Sequence, residues 1–163
     1  MKEITIKLYS FDELSTKAQE RALQEHISEH DDPMMQSHMI NLLKEELDER
    51  KIKYNADSIN VMYSLGYSQG DGLMFEGKIT WHGLDATIKH SGRYYHEYSR
   101  IIDMPAASEK EYAAFDSEYV AICKKIAQAG YREIEYQHSK EHFGELCEAN
   151  DYTFEEDGAM RNE

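Results

Sequence analysis

The residues best suited to chemistry lie in two glycine-containing stretches near the middle of the 163-residue chain. The first is SQGDG, in which Gln69 and Asp71 alternate with Gly70 and Gly72. The glycines can supply the positive φ angles of a tight turn, and the Asp71 carboxylate can accept hydrogen bonds from nearby backbone N–H groups. No turn type requires a glutamine. Gln69 is therefore the residue of this stretch that a purely structural role explains least.

The second stretch is HSGRYYHEY, which begins at His90. A three-residue loop over 91–93 would place His90 opposite Tyr94 and Ile88 opposite His96 in an antiparallel hairpin. The two imidazoles would then share one face of the sheet, where an apolar surface ends. Histidine titrates near neutral pH and can act as an acid, a base or a metal ligand.

Two interpretations of these stretches remain open. In a catalytic role, Asp71, His90 or His96 would act as the general base, and Arg93 or Tyr94 would stabilise negative charge. In a structural role, which we favour, the glutamine and aspartate pin one hairpin and the histidines bond to it from the next. Two histidines are an incomplete zinc site and nothing local fixes a third ligand, so we predict no metal and no other cofactor.

The elements that must position these residues indicate an α+β fold. Alternating apolar residues predict an antiparallel meander of four to six strands, packed on one face by about four α-helices. The predicted strands are 2–9, 59–67, 73–81, 84–90, 94–102 and a brief one within 152–157. We expect a single domain over 1–163, with a flexible tail from about 157.

Capping residues and apolar stripes predict the helices. The first begins after Ser15, and the second begins at Asp32–Pro33 and ends near Lys51. The third follows a capping box of Ser108 and Glu111, with a break or bend at Gly130. The last is capped by Ser139 and ends with Asn150 in the left-handed conformation.

Charge limits the classes of partner. Thirty-two acidic residues against 18 basic ones give a formal net charge of −14. Such a surface repels nucleic acid and anionic membranes, and we expect neither to bind directly. It can attract a protein with a basic surface, and residues 133–163 carry ten acids against two bases. The candidate acidic surface consists of Glu45, Asp48, Glu49, Glu141, Glu145 and Glu148.

Targeting signals are not evident in the sequence. No apolar run approaches the roughly 20 residues of a membrane helix. The N-terminal MKEITIKLYS alternates polar and apolar residues, unlike a signal peptide. The two cysteines, Cys123 and Cys147, form no CxxC pair. These features predict a cytoplasmic protein, and they leave its oligomeric state open.

Four motifs in order resemble a family of small bacteriophage and prophage proteins, some of which carry an antitoxin label. They are FDELS at 11–15, SQGDGLMFEG at 68–77, HSGRYYHEY at 90–98 and NDYTFEEDG at 150–158. The segment between the second and third motifs is shorter here than in many relatives. The signature residues that the resemblance assigns are Gln69, Gly70, Asp71, Gly72, Phe75, His90, Gly92, Tyr94, Tyr95 and His96.

The resemblance and the charge together suggest a function. We expect a phage-encoded protein in the host cytoplasm that binds a basic host protein and inhibits a defence or nucleic-acid-processing complex, as anti-CRISPR and anti-restriction proteins do. The alternative is a small-ligand-binding protein or a hydrolase-like enzyme. Its site would consist of Gln69, Asp71, His90 and His96.

Overall fold

The computed structural model describes residues 2–29 and 34–161. The chain divides into two compact units, the larger formed by Pro33–Tyr131 and the smaller by Met1–Asp32 with Arg132–Glu163. The described residues form four α-helices, an antiparallel five-stranded sheet and a two-stranded ribbon, which confirms the α+β class. The single domain with a flexible tail stays a prediction. The helices are α1 Thr16–Glu29, α2 Met35–Glu49, α3 Glu109–Gln137 and α4 Lys140–Ala149.

The sheet of the larger unit is built around one long central strand. The strands are β1 Lys53–Tyr54, β2 Asn60–Ser64, β3 Gly72–Trp81, β4 Leu84–His90 and β5 Arg100–Asp103. Strand β3 pairs with both β1 and β2 along one edge and with β4 along the other, and β4 pairs with β5. On β3 the predicted inward positions, among them Leu73, Phe75 and Ile79, are buried, as the alternation of side chains along a strand requires.

Helices α2 and α3 pack against this sheet through apolar stripes. Met39 and Leu43 of α2 and Phe115 of α3 are fully buried. The Tyr119 hydroxyl donates to the Phe75 carbonyl at 2.9 Å and accepts from the Phe75 N–H at 3.0 Å. Burial raises the pKa of that hydroxyl. The signature residue Phe75 is thus part of the core rather than of an exposed site.

Gly130 lies inside α3, which continues without a break to Gln137. The predicted break at this residue is therefore wrong, and a bend there stays a prediction. A Cβ at position 130 would lie 2.7 Å from Leu65 Cδ1 and 2.8 Å from Met39 Cε. The glycine therefore serves close packing, which offsets its low helix propensity.

The smaller unit has its own aromatic core. Phe11, Phe143 and Phe154 are buried, with ring centroids 5.1 to 6.3 Å apart. Helices α1 and α4 pack together, and the two-stranded ribbon consists of β6 Thr153–Phe154 and β7 Met160–Arg161. The brief strand expected within 152–157 is confirmed.

The strand predicted over 2–9 is wrong. Tyr9 alone forms a bridge, to Phe154, and the preceding described residues form no strand. Ile4 and Ile6 are 82% and 47% exposed. Alternation alone does not create a strand when the apolar side chains have no surface on which to be buried.

Serine caps begin three of the helices, as predicted. The Ser15 and Ser139 hydroxyls each accept a hydrogen bond from the N–H three residues on, at 3.2 and 3.1 Å. Ser108 and Glu111 form the reciprocal capping box at 3.0 and 3.1 Å. These contacts satisfy backbone N–H groups that have no partner within the helix.

The remaining helix boundaries differ in detail from the prediction. The Asp32–Pro33 start lies outside the described residues, and α2 begins at Met35. After α4 the left-handed residue is Asp151, with φ 53°, whereas Asn150 has φ −107°. None of the helices in the described ranges combines the length and apolarity needed to span a bilayer.

Candidate functional site

The SQGDG bend between β2 and β3 is held by its aspartate. The Asp71 carboxylate accepts hydrogen bonds from the Gly66 and Ser68 N–H groups at 2.8 and 2.9 Å and from the Ser64 hydroxyl at 2.8 Å. These bonds, chiefly the one from Ser68, hold the pKa of Asp71 below its ordinary value. The expected binding of Asp71 to turn amides is confirmed. Both of its oxygens are engaged, so it is not an available general base in this arrangement.

The loop between β4 and β5 differs from the predicted hairpin. His90 pairs with Arg100 and Ile88 with Ile102, so the predicted pairings with Tyr94 and His96 are wrong. Residues 91–99 form a longer loop in place of the start of the strand predicted over 94–102. The Ser91 N–H closes this loop by donating to the Ser99 carbonyl at 2.9 Å.

The bend and the loop nevertheless lie against each other. A Cβ at position 72 would lie 3.0 Å from His96 Cβ, and one at position 70 would lie 3.5 Å from the Tyr94 ring. Gly70 also has φ +85°, a conformation that favours glycine. Because neither glycine has a Cβ, the loop can pack closely against the bend. The two motifs therefore meet at one end of the sheet.

His90 supports the loop rather than the bend. Its Nε2 lies 2.6 Å from the Tyr94 carbonyl oxygen, and since a carbonyl only accepts, Nε2 carries the proton. Its ring stacks on Tyr95 with centroids 5.3 Å apart. Its backbone N–H donates to Glu76 Oε1 at 2.9 Å. His90 thus fixes the position of Tyr94.

His96 is fixed in a similar way. Its Nδ1 accepts the Tyr98 N–H at 3.0 Å, which places the proton of the neutral ring on Nε2. Its ring is nearly parallel to that of Tyr94, at 5.9 Å and 15°. The two histidines therefore position two tyrosines. Among the described residues, neither histidine forms a hydrogen bond to the SQGDG bend or to the other histidine.

Two arginines lie over these tyrosine rings. The Arg93 guanidinium is 5.6 Å from the Tyr94 centroid, and that of Arg100 is 5.2 Å from the Tyr98 centroid. Arg100 also forms an ion pair with Asp116, donating through Nε at 3.0 Å. The predicted charge-stabilising Arg93 is thus a stacking partner of Tyr94.

A cleft of about 630 Å³ opens between the bend and the loop. Of the predicted site residues, it brings together Gln69, Gly70, Asp71, Tyr94 and His96. His90, Gly92, Arg93 and Tyr95 lie outside its lining, and Gly72 and Phe75 are buried. The sequence interpretation missed Glu97 and Tyr98, although their position directly after the YYH motif was the available signal. The residues that line the cleft are Gln69, Gly70, Asp71, Tyr94, His96, Glu97 and Tyr98.

The cleft is lined by hydrogen-bonding and aromatic side chains. Among residues 2–29 and 34–161, no three His, Cys, Asp or Glu side chains are grouped so as to hold a metal ion. The cleft contains neither cysteine, and both thiols are buried elsewhere. Its free polar groups are an amide, a carboxylate, phenols and an imidazole N–H, which are suited to hydrogen bonding.

The acidic residues of α2 lie beside an ion-pair network. The carboxylate of Glu46 is buried between Arg50 Nε at 2.7 Å and Lys125 Nζ at 2.8 Å. Although burial raises the pKa of Glu46, the two cations together lower it below its ordinary value. The Lys125 ammonium also lies 4.0 Å from Glu49. The three predicted surface residues of α2, Glu45, Asp48 and Glu49, are all exposed. The charge of this face is therefore partly neutralised.

The acidic face of α4 is different. Glu141, Glu145 and Glu148 are exposed, and together with Asp12 they line a groove of about 400 Å³. Within the described part of the chain none of these four carboxylates forms an ion pair within 4.0 Å. Glu145, followed by burial and Glu141, raises the pKa of the nearby Tyr136 hydroxyl. Lys140 also lines the groove, so the lining carries four carboxylates against one ammonium and its potential is negative.

Comparison with known proteins provides no family assignment. No protein-family model, curated protein or solved structure matches this chain.

Proposed function

We propose that this chain is an acidic binding protein that occupies the basic surface of a partner protein. The observation that supports this most is the groove of α4, which four carboxylates and one ammonium, that of Lys140, line. Among the described residues, Asp12, Glu141, Glu145 and Glu148 form no ion pair within 4.0 Å. Carboxylates spaced along a helix can pair with Lys and Arg side chains that otherwise contact phosphates. The net charge of −14 would accelerate such an encounter.

The partner is a protein that binds nucleic acid through a basic groove. The resemblance to phage and prophage proteins supports a host defence or nucleic-acid-processing complex as the target, so that this chain acts as an inhibitor of the anti-CRISPR or anti-restriction type. Its site of action is then the host cytoplasm. The engaged oxygens of Asp71 make the alternative, a hydrolase-like enzyme, less compatible with the geometry.

The test is a pull-down from bacterial lysate with the full-length chain at low and high salt, followed by a competition assay. The captured protein should release its DNA or RNA as the acidic chain is added. Binding should weaken steeply between about 50 and 200 mM salt, because ions screen exposed charges over roughly 8–10 Å. Capture that is insensitive to salt, or a partner that keeps its nucleic acid, would contradict the proposal.

Two charge variants with equal numbers of substitutions locate the interface. Replacing Glu141, Glu145 and Glu148 with glutamine should abolish the competition. The matched control replaces Glu45, Asp48 and Glu49 with their amides and should retain most of it, since Lys125 lies close to Glu49 and already reduces the charge of that face. If only the α2 variant loses the competition, the interface lies on α2 and not on α4. If both variants lose it equally, binding depends on net charge alone.

A further inference from the structure

The cleft beside the SQGDG bend presents polar side chains that the fold does not use for its own hydrogen bonds or ion pairs. Gln69 is exposed and forms no hydrogen bond to any residue in the described ranges, and Glu97 forms no ion pair there. Tyr94 and Tyr98 are 61% and 60% exposed. Large exposed aromatic side chains beside unused polar groups are typical of binding sites.

Tyr94 adopts a backbone conformation that is unfavourable for its residue type. Its φ is 60°, in the left-handed region that bulky side chains rarely occupy. Burial of the ring does not compensate, since most of it is exposed. The hydrogen bond from His90 Nε2 to the Tyr94 carbonyl maintains this conformation at 2.6 Å. The fold thus holds an aromatic ring in a fixed, outward-facing position.

The bend and the loop that carry the cleft are similarly fixed before any ligand arrives, although the Gln69 and Glu97 side chains are not held by hydrogen bonds or ion pairs among the described residues. Three hydrogen bonds to Asp71 lock the bend, and His96 is held by the Tyr98 N–H. A rigid site loses little conformational entropy on binding, which favours affinity for a small ligand. We propose that this cleft binds a neutral saccharide.

The chemistry of the lining selects this class of ligand. The C–H groups on a sugar ring carry partial positive charge, which complements the negative face of a tyrosine ring. Arg93 and His96 stack on Tyr94 and Arg100 lies over Tyr98, so the sugar would stack on the part of each ring that these side chains leave exposed. Hydroxyl groups both donate and accept, and they can pair with the Gln69 amide, the Glu97 carboxylate and the His96 Nε2–H. The charges around the cleft have both signs, because Arg93 and Arg100 lie over the two rings while Glu97 lines the cleft. A neutral ligand meets no net repulsion there.

The saccharide site is independent of the proposed function. All of its residues belong to the larger unit, whereas Asp12 and the acidic face of α4 belong to the smaller one. Loss of saccharide binding would therefore leave the salt-dependent protein interaction intact, and the two proposals can fail separately.

The experiment screens the full-length chain against a glycan array and then titrates maltohexaose, cellohexaose and chitohexaose by calorimetry and by ¹⁵N-resolved NMR. We expect saturable binding with shifts in the amide signals of residues 69–71 and 94–98. Tyr98→Ala and Gln69→Ala should each weaken binding about tenfold or more. The matched control Tyr112→Ala removes a tyrosine of α3 that is 40% exposed and lies outside the cleft, and it should change nothing.

Two results of the glycan experiments themselves would overturn the saccharide proposal. One is an array without any bound neutral glycan, and the other is binding that both cleft variants leave unchanged. Gln69 is exposed and its side chain forms no hydrogen bond among the described residues, so we expect Gln69→Ala to fold normally, and its melting temperature checks this. If the cleft variants instead lose capture of the protein partner, the cleft is part of a protein interface and the saccharide proposal is wrong.

Discussion

Neutralising the C-terminal part of the acidic α4 face should stabilise the fold while it weakens partner binding. Glu145 lies four residues after Glu141 and three before Glu148, so it is a helix neighbour of both and the face contains two like-charge pairs. Each like-charge pair at these spacings costs about 0.2–0.5 kcal/mol. Glu148 also lies in the last turn, where the helix dipole disfavours a negative charge by about 0.3–1 kcal/mol.

The double variant Glu145→Gln/Glu148→Gln removes both repulsive pairs and the unfavourable dipole interaction. We expect the free energy of unfolding to rise by about 1 kcal/mol at low salt. For a chain of this length that corresponds to a melting temperature about 2–4 °C higher. Differential scanning calorimetry and urea titration measure both quantities. At about 1 M salt, where the screening length is roughly 3 Å, the gain should largely disappear.

A matched control lies on the same face. Glu141 is in the first turn of α4, where the dipole favours a negative charge, so Glu141→Gln loses one favourable interaction while it relieves one repulsive pair. It should produce no stabilisation. If the double variant is no more stable than the parent, or if the gain persists at high salt, these carboxylates are not mutually repulsive and the groove does not have the inferred potential.

Four further outcomes follow from individual contacts. Asp71→Ala should lower the free energy of unfolding at pH 7. Because folding lowers the pKa of Asp71 below its ordinary value of 3.8, the difference between variant and parent should shrink as the pH falls from 3.8 through the lowered pKa of the folded chain. Urea unfolding at each pH measures this difference. Glu46→Ala should cost about 1–3 kcal/mol in the same assay, because it leaves a guanidinium and an ammonium without their shared carboxylate. Burial raises the pKa of Cys123 to about 12 and that of Cys147 to about 11, so Ellman's reagent at pH 8 should modify both thiols only as fast as the protein unfolds. The raised pKa of Tyr136, followed by ultraviolet titration, should move towards its ordinary value of 10.0 in the Glu145→Gln variant and stay unchanged in a Glu45→Gln control.

Local chemistry made some features predictable from the sequence. The serine caps at Ser15, Ser108 and Ser139 depend on contacts within three residues, and all three are present. The binding of Asp71 to turn amides is equally local. Alternation predicted β3 and β4 because both of them have a helix-covered surface on which to bury one face.

Features set by distant contacts were not predictable in the same way. Nothing near Gly130 in the sequence shows that Leu65 and Met39 approach it, so a packing glycine looked like a helix breaker. The segment RYYHEYS has the composition of a strand, since tyrosine favours strands. Its loop conformation depends on the left-handed Tyr94 and on the hydrogen bond from His90, and neither is visible in a pattern of residue types.

The two histidines, which could have taken part in catalysis, instead hold the backbone of the loop that carries them. Each imidazole is close enough to a backbone group of the same loop to be used by it, His90 at the Tyr94 carbonyl and His96 at the Tyr98 N–H. For His96 to take up a proton at Nε2, the ring proton must first move to Nδ1, which breaks the bond from the Tyr98 N–H. His90 keeps Nδ1 as an acceptor while its Nε2–H holds the Tyr94 carbonyl. The tyrosines that they position remain exposed and are not needed for the core. The spacing of His90 and His96 around the two tyrosines therefore supports the presentation of aromatic rings at the surface, as the proposed binding site requires.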